Sequence, residues 1–400
     1  MSDSVLVTHP NRQHSHQLAQ ALHNHEQLSG YWTGVPARPL GQGTWWRSVG
    51  RLFEKHALLD LPKDKVAHNI VGPVARRMAA LVPASWGVAV QHAGMAWFDR
   101  WCARRLDSTN ARAVVAYENA ALHTFRAAKA RGMVTVLDAA SFHHAWQDEA
   151  YDYPEPEAVH QWINTRKDEE IAQADHILTV SDLARESYIE GGVAPDKVTS
   201  VPVGCDLERF QKMEETAAEA DAPFTFIFAG HAGYRKGIDL LIEAAKRLHS
   251  ELDTDMQSVR IWIAGGEDTG IEWGNSSCIE RLGRLPQPEL ACRFQEADCL
   301  VLPSRHDSFG MVVVEAMATG LPAIVTEHVG AKQVITEGES GWVIPAEDAD
   351  ALYDRMRWCI DHPAVVRSMS ASAHAAAQEY TWDRYRSRVV AFLEGYLEGA

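Results

Sequence analysis

Two carboxylates eight positions apart, Asp307 and Glu315, lie in the stretch DSFGMVVVEAMATGLP, which otherwise reads as an apolar helix. An acid inside such a helix costs free energy unless something bonds it. LVLPS ends a strand, RHDSFG is a loop, and MVVVEAMATG is a helix stopped at Gly320 with Pro322 beyond. The backbone amides of Ser308, Phe309, Gly310, Met311 and Val312 then point outward at the helix N-terminus, which makes an anion site. Glu315 falls one to two turns inside, on the face of Met311, Val312 and Thr319. There it can accept hydrogen bonds from a ribose diol lying along the helix. The plainer alternative is an ordinary surface acid.

A second constellation precedes it in FAGHAGYRKGIDLLIEA, where Gly230, Gly233 and Gly237 punctuate a loop between strand and helix. Glycines permit close backbone approach, and the adjacent cations Arg235 and Lys236 can neutralise a diphosphate. One Gly-rich turn with two basic residues is a weak signal. Two such loops in consecutive parts of one domain are more specific.

These loops need a scaffold that presents them together. RAVVAY (112–117), MVTVLDA (133–139), ADHILTVS (174–181) and KVTSVPVG (197–204) read as strands. Helical segments separate them, and Ser181 is placed to cap DLARESYIEGG. A polar, acidic stretch follows, CDLERFQKMEETAAEADAP, with few core candidates beyond Leu207, Phe210 and Met213; this shift in composition marks a domain boundary. A second series then runs through FTFIFAG, VRIWIAGG, DCLVLPS, PAIVTE and GWVIP, with a helix read from Lys236 to Ser250. Strands lacking polar alternation, separated by helices, predict parallel sheets covered on both faces. Two such halves give an α/β chain of two Rossmann-like domains, whose ligands lie beyond the carboxyl ends of the strands.

Composition excludes several classes. The 400 residues carry a formal net charge of −16, which argues against a nucleic-acid partner. Six scattered cysteines without a Cys-x-x-Cys pair argue against zinc and disulfide frameworks and for a reducing cytoplasm. No signal-peptide core and no apolar run of membrane-spanning length is evident. The charge is uneven, however. From Arg38 to Arg131 there are 15 Lys and Arg against 6 Asp and Glu, with Trp45, Trp46, Trp86, Trp97 and Trp101 interleaved. Within this segment, WWRSVGRLFEKHALL has the pattern of an interfacial helix, which makes an anionic membrane surface a candidate partner.

With these motifs in place, the chain resembles retaining glycosyltransferases of the GT-B fold, family 4 type (the group 1 glycosyltransferases). DSFGMVVVEAMATGLP is similar to that family's core signature, a carboxylate, seven residues and a glutamate. ADHILTVSDLARE, VTSVPVGCDLERF, GYRKGIDLLIEA, ADCLVLPS and SGWVIPAEDADAL match as well, over roughly residues 168 to 385. The resemblance implies an acceptor-side domain (1–205), a nucleotide-sugar-binding domain (206–378) facing it across a cleft, and a C-terminal helix (379–400) returning to the first. It implies transfer of a sugar from a UDP- or GDP-linked donor to a hydroxyl of a sugar, lipid-linked or small-molecule acceptor, with retention. By the same resemblance, Asp307 bonds the donor sugar and Glu315 the ribose, while Lys236 and Arg235 balance the diphosphate. Gly230, His231 and the backbone of 308–312 contact the donor, Leu285 walls the base, and His143 or His144 lies near the sugar from the first domain. No cofactor and no metal are implied, and DTDM (253–256) reads as a polar connection. The implied location is cytoplasmic, peripheral on the inner face of a membrane.

Three departures bear on these roles. The first acid is Asp307 in place of Glu, Gly230 is followed by His231 in place of Arg, and THPNRQHSHQLAQAL replaces the usual Gly-Gly loop. His14 and His16 lie there, a spacing that is not by itself a metal site. A catalytically silent sugar-nucleotide binder, or an epimerase or phosphorylase on the same fold, stays open.

Overall fold

The computed structural model describes residues 4–11, 13–34, 61–150, 153, 155–211, 222–251, 259–274 and 277–399. The amphipathic segment 45–59, Met213 and DTDM (253–256) lie outside them. The chain divides into two compact units. One comprises Met1–Thr179, Ser187–Val201 and Arg386–Ala400, and the other Val180–Glu186 and Pro202–Tyr385.

The first unit is built on a parallel sheet of seven strands: β1 (Val5–His9), β2 (Leu28–Thr33), β3 (Val66–His68), β4 (Ala113–Tyr117), β5 (Val134–Ala139), β6 (His176–Thr179) and β7 (Val198–Ser200), in the order β3-β2-β1-β4-β5-β6-β7. Every residue of β1 and β4 is buried, as strands covered on both faces require. Phe98 and Cys102 from the Ala84–Arg105 helix and Phe125 from Leu122–Lys129 pack on Leu6, Val114 and Leu137. The order reverses between β1 and β4, so their carboxyl ends form the switch point of this sheet.

A buried ionic group ties three helices of this unit together. Asp99 accepts the His123 and Thr124 amides at 2.9 and 2.8 Å, and Glu170 accepts those of Asn119, Ala121 and Leu122 at 2.7–3.2 Å. The orphan amides at the start of the Leu122–Lys129 helix are thereby satisfied. Arg166 bridges both carboxylates at 3.0 and 3.2 Å. Even so, burial pushes the Glu170 carboxyl up to about 7.

Part of this unit comes from far along the chain. In the helix Trp382–Gly399, Val389, Val390 and Leu393 are buried. The rings of Phe392 and Tyr396 lie 4.7 and 4.9 Å from that of His176 in β6.

The second unit has a six-stranded parallel sheet: β8 (Phe224–Ala229), β9 (Val259–Ala264), β10 (Ile279–Gly283), β11 (Cys299–Leu302), β12 (Ala323–Thr326) and β13 (Gly341–Ile344), ordered β10-β9-β8-β11-β12-β13. Its switch point lies between β8 and β11. The strand β10 escapes the sequence pattern because it is an edge strand whose Glu280 and Arg281 are exposed. Ser181 caps its helix as expected, accepting the Ala184 amide at 3.0 Å. The helix read from Lys236 starts instead at Ile238. Tyr234–Lys236 form one tighter turn, and Gly237 follows at φ +67°, where a Cβ would run into the Pro303 carbonyl. Among the described residues no helix is long and apolar enough to cross a membrane.

Candidate functional site

The switch point of the second sheet gathers the residues that the motifs single out. The loop after β8 carries Arg235 and Lys236, and the loop after β11 carries Asp307. The two loops are laced together by the Arg305 amide on the Arg235 carbonyl (3.0 Å) and the Arg235 guanidinium on the His306 carbonyl (2.9 Å). Lys236 Nζ donates to Asp307 Oδ2, and both side chains are largely shielded from solvent. Two residues 71 positions apart are thus one ion pair, because β8 and β11 are neighbours.

The Asp307 backbone is pinned as well. Its amide donates to His328 O at 3.1 Å, and its carbonyl accepts the Gly330 amide at 2.8 Å. Ser181 Oγ donates to the Ser308 carbonyl at 2.6 Å. Gly310 then turns the chain into the Met311–Ala318 helix at φ +86°, a conformation in which a Cβ would press on Val329. Phe309 is buried beneath, while Met311 and Val312 keep some exposure on the face that carries Glu315.

Glu315 answers the question raised by its position. It is half-buried, and among the described residues nothing hydrogen-bonds or ion-pairs with its carboxyl; burial alone pushes it up to about 7. A carboxyl held in that state by desolvation is stabilised by whatever brings donors to it.

Three further groups border this site at the ends of β8, β9 and β10. His231 Nε2 lies 2.7 Å from Asp268 Oδ1, both well exposed. A Cβ on Gly266 would meet Arg284 Nε at 2.9 Å and His231 Nδ1 at 3.2 Å, so the Arg284 guanidinium lies close to the His231 ring. Leu285, next to it, is half-buried. Arg284 carries no motif signal beyond following Gly283, and the sequence reading passes over it. Arg305, by contrast, serves the loop itself. It holds Asp239 in a bidentate pair at 2.7 Å and stacks 3.7 Å over the Tyr234 ring.

In the first unit, His143 and His144 stand at the start of the His144–Ala150 helix, after β5. His143 is buried, edge-on to Tyr188 at 5.3 Å, and its Nδ1 accepts the Ala145 amide at 3.2 Å. Burial, with His144 beside it, lowers its imidazole to about 4, so it is neutral near pH 7. His144 Nε2 bonds Asp168 Oδ1 at 2.7 Å. His143, His144 and Asp168 offer ligand atoms within 4.8 Å of one another, the one such grouping among the described residues.

The switch point of the first sheet holds a polar cluster that the sequence reading does not assemble. His14 Nε2 and Asp138 Oδ1 are 2.8 Å apart and buried. Burial opposes charge on His14, but the Asp138 carboxylate outweighs it and the imidazole is raised. Glu118 accepts the Ser141 hydroxyl at 2.7 Å, and burial raises its carboxyl. His9, its ring tilted at 44° to that of Tyr117 with centroids 4.0 Å apart, is lowered to about 3 by burial. The signal is positional: His9, Tyr117 and Asp138 close or adjoin three strands at their carboxyl ends. His16, in the first turn of the Ser15–Asn24 helix, has its Nδ1 2.6 Å from the Gln13 carbonyl and its Nε2 3.3 Å from Gln17 Nε2.

Comparison with known families decides what the second unit is. Residues 210–376 match the family described as glycosyl transferases group 1. This stretch is a group 1 glycosyltransferase domain. The D-inositol 3-phosphate glycosyltransferase 1 of Catenulispora acidiphila is 31% identical over 252 residues, covering 57% of this chain and 59% of that protein. The D-inositol 3-phosphate glycosyltransferase of Geodermatophilus obscurus is 28% identical over 60% of the chain and 56% of its own length. The aligned chain therefore spans under two thirds of these curated relatives. Sucrose-phosphate synthase from Thermosynechococcus elongatus superposes with TM-score 0.69 at 16% identity over 100% of both chains. Anabaena HepE in complex with UDP-glucose gives 0.65 at 14% identity, over 98% of this chain and 99% of that one. At such identities the likeness is one of fold, and the fold that joins the group 1 domain to the first unit is GT-B.

Proposed function

We propose that the protein is a retaining glycosyltransferase that moves a hexose from a UDP- or GDP-linked donor to an acceptor hydroxyl without a metal ion. The observation that carries this reading is Glu315, a desolvated carboxyl without a protein partner, set along the helix that begins beside the Lys236–Asp307 pair. A nucleotide ribose supplies two hydroxyl donors to Glu315, and its diphosphate lies between Lys236, Arg235 and the amides of 308–312. The named relatives are glycosyltransferases, which supports the same reading.

In the transfer step the bond between the sugar's anomeric carbon and the β-phosphate oxygen breaks, and a bond from the acceptor oxygen to that carbon forms on the same face. The acceptor's proton passes to the departing phosphate. Lys236 neutralises the charge that grows on that phosphate, and its release from Asp307 frees that carboxylate to accept hydroxyls of the donor sugar. With two cations on the loop after β8, and Arg284 close to His231, the chain itself can supply the leaving-group stabilisation. His14 and Asp138 are the acceptor-side groups of the first unit. The acceptor is a sugar, a lipid-linked carrier or a small molecule.

Calorimetry of UDP and GDP against wild type and Glu315→Ala tests the donor site, and glycosyl transfer or slow donor hydrolysis separates the enzyme from a silent binder. Equal nucleotide affinity in the two proteins removes the ribose role. Nucleotide binding without turnover of any donor leaves a binding protein.

A further inference from the structure

The first unit also carries a surface that the donor chemistry does not use. The helices Val71–Ala79 and Ala84–Arg105 are joined by a short turn, and around that turn the apolar side chains point into solvent. Leu81 is 85% exposed, Trp86 60% and Met78 57%, with Val74 and Val82 near 40%. Single exposed apolar residues need no explanation, but five within thirteen positions form a patch. Trp97, 57% exposed, lies eleven residues beyond Trp86, about three turns and roughly 16 Å along the same helix face.

The charge around this patch is of one sign. Between Asp64 and Asp107 the sequence has a single acid, Asp99, and that residue is buried and bonded to Arg166. Against it stand Arg76, Arg77, Arg100, Arg104 and Arg105, all exposed, in a chain of net charge −16. Arg100 and Arg104 continue the stripe of Trp97 at i+3 and i+7. Apolar anchors with a tryptophan among them, with exposed Arg76 and Arg77 in their midst and further exposed arginines along the second helix, fit a surface that is hydrocarbon beneath and anionic above.

We propose that the turn between these two helices inserts into an anionic lipid surface, with Met78, Leu81, Val82 and Trp86 as anchors and Arg76 and Arg77 at the headgroups. The chain's own segment 45–55 is a poorer occupant. It is itself basic, with Arg47, Arg51 and Lys55 against Glu54, and two basic elements gain more by facing the same anionic surface than by covering one another. A second copy of the chain would set arginine against arginine. The docking stands independently of which sugar the second unit handles.

The test is co-sedimentation of the full chain with phosphatidylcholine vesicles, plain or containing about a third phosphatidylglycerol. Wild type binds the anionic vesicles, releases them at high salt, and ignores the neutral ones. Leu81→Ser/Trp86→Ser and Arg76→Glu/Arg77→Glu each weaken binding by about tenfold or more, since the loss of about 1.4 kcal/mol suffices for that factor. Their melting temperature and nucleotide affinity match wild type, so a failure here is distinct from a failure of the donor site. Equal binding to both vesicle types, or wild-type binding by both variants, overturns the proposal. So does binding that survives in these variants but is lost in Arg47→Glu/Arg51→Glu. A change in oligomeric mass in the Leu81→Ser/Trp86→Ser protein, without vesicle binding by wild type, overturns it too and makes the patch a contact between copies.

Discussion

A pH titration of donor binding probes Glu315 most sharply. Its carboxyl lies at about 7 against an ordinary 4.5, and burial is the cause. Near pH 6 it is therefore about one-tenth ionised, and near pH 8 about nine-tenths. A ribose diol bonds the ionised form, so nucleotide-sugar affinity rises about tenfold over that interval and then levels off. Binding near pH 6 expels close to one proton, read from calorimetry in two buffers of different ionisation enthalpy. A nucleotide-sugar serves better than a free diphosphate, whose own terminal group titrates in the same range. Glu315→Gln removes the pH dependence. Glu315→Ala loses a hydrogen bond to a charged group, about 1.5–3 kcal/mol or roughly ten- to a hundredfold in affinity near pH 8, and less near pH 6. The same carboxyl acts on stability in the opposite sense. A raised acid holds its proton more tightly folded than unfolded, so its contribution is full below about 4.5 and is lost as pH rises through about 7, by at most about 3 kcal/mol. Glu315→Gln should thus match wild type in melting temperature near pH 5 and exceed it near pH 8. If wild type and Glu315→Gln show the same proton release and the same pH profile, the ribose does not meet this carboxyl.

Three other outcomes follow from the same geometry. Lys236→Ala slows transfer by roughly ten- to a hundredfold, and Lys236→Met/Asp307→Asn melts higher than Lys236→Met alone, because the single change strands a shielded carboxylate. Activity persists in EDTA; loss on chelation with recovery on added magnesium or manganese refutes leaving-group stabilisation by Lys236 and Arg235 alone. Arg166→Leu leaves Asp99 and Glu170 buried without their cation and destabilises the protein by about 3–5 kcal/mol in thermal or urea unfolding.

What the sequence made legible follows from burial. FTFIFA in β8 and CLVL in β11 are buried at every position, so they stand out as apolar runs bounded by loops. IERLG in β10 has one sheet neighbour and exposed charges, so nothing apolar announces it. The glycines and the apolar helix around Glu315 mark a ligand loop, but no local pattern says that Glu315 lacks a protein partner. The joining of Lys236 to Asp307 depends on β11 lying beside β8, a fact of sheet order. The cluster of His14, Asp138, Glu118 and His9 escapes notice for the same reason, since it draws on three strands that are separated in sequence by helices.

The return of Arg386–Ala400 to the first unit orders events during synthesis. The second unit's residues, Pro202–Tyr385, are all made before the segment that completes the first unit. The second sheet can therefore be fully paired while β6 still lacks the Phe392 and Tyr396 rings that cover His176. The unit begun first is finished last, and until then it presents apolar surface that the completed protein buries under Val389, Val390 and Leu393. A chain stopped just after Tyr385 would keep the second unit whole and leave the other permanently at that intermediate stage.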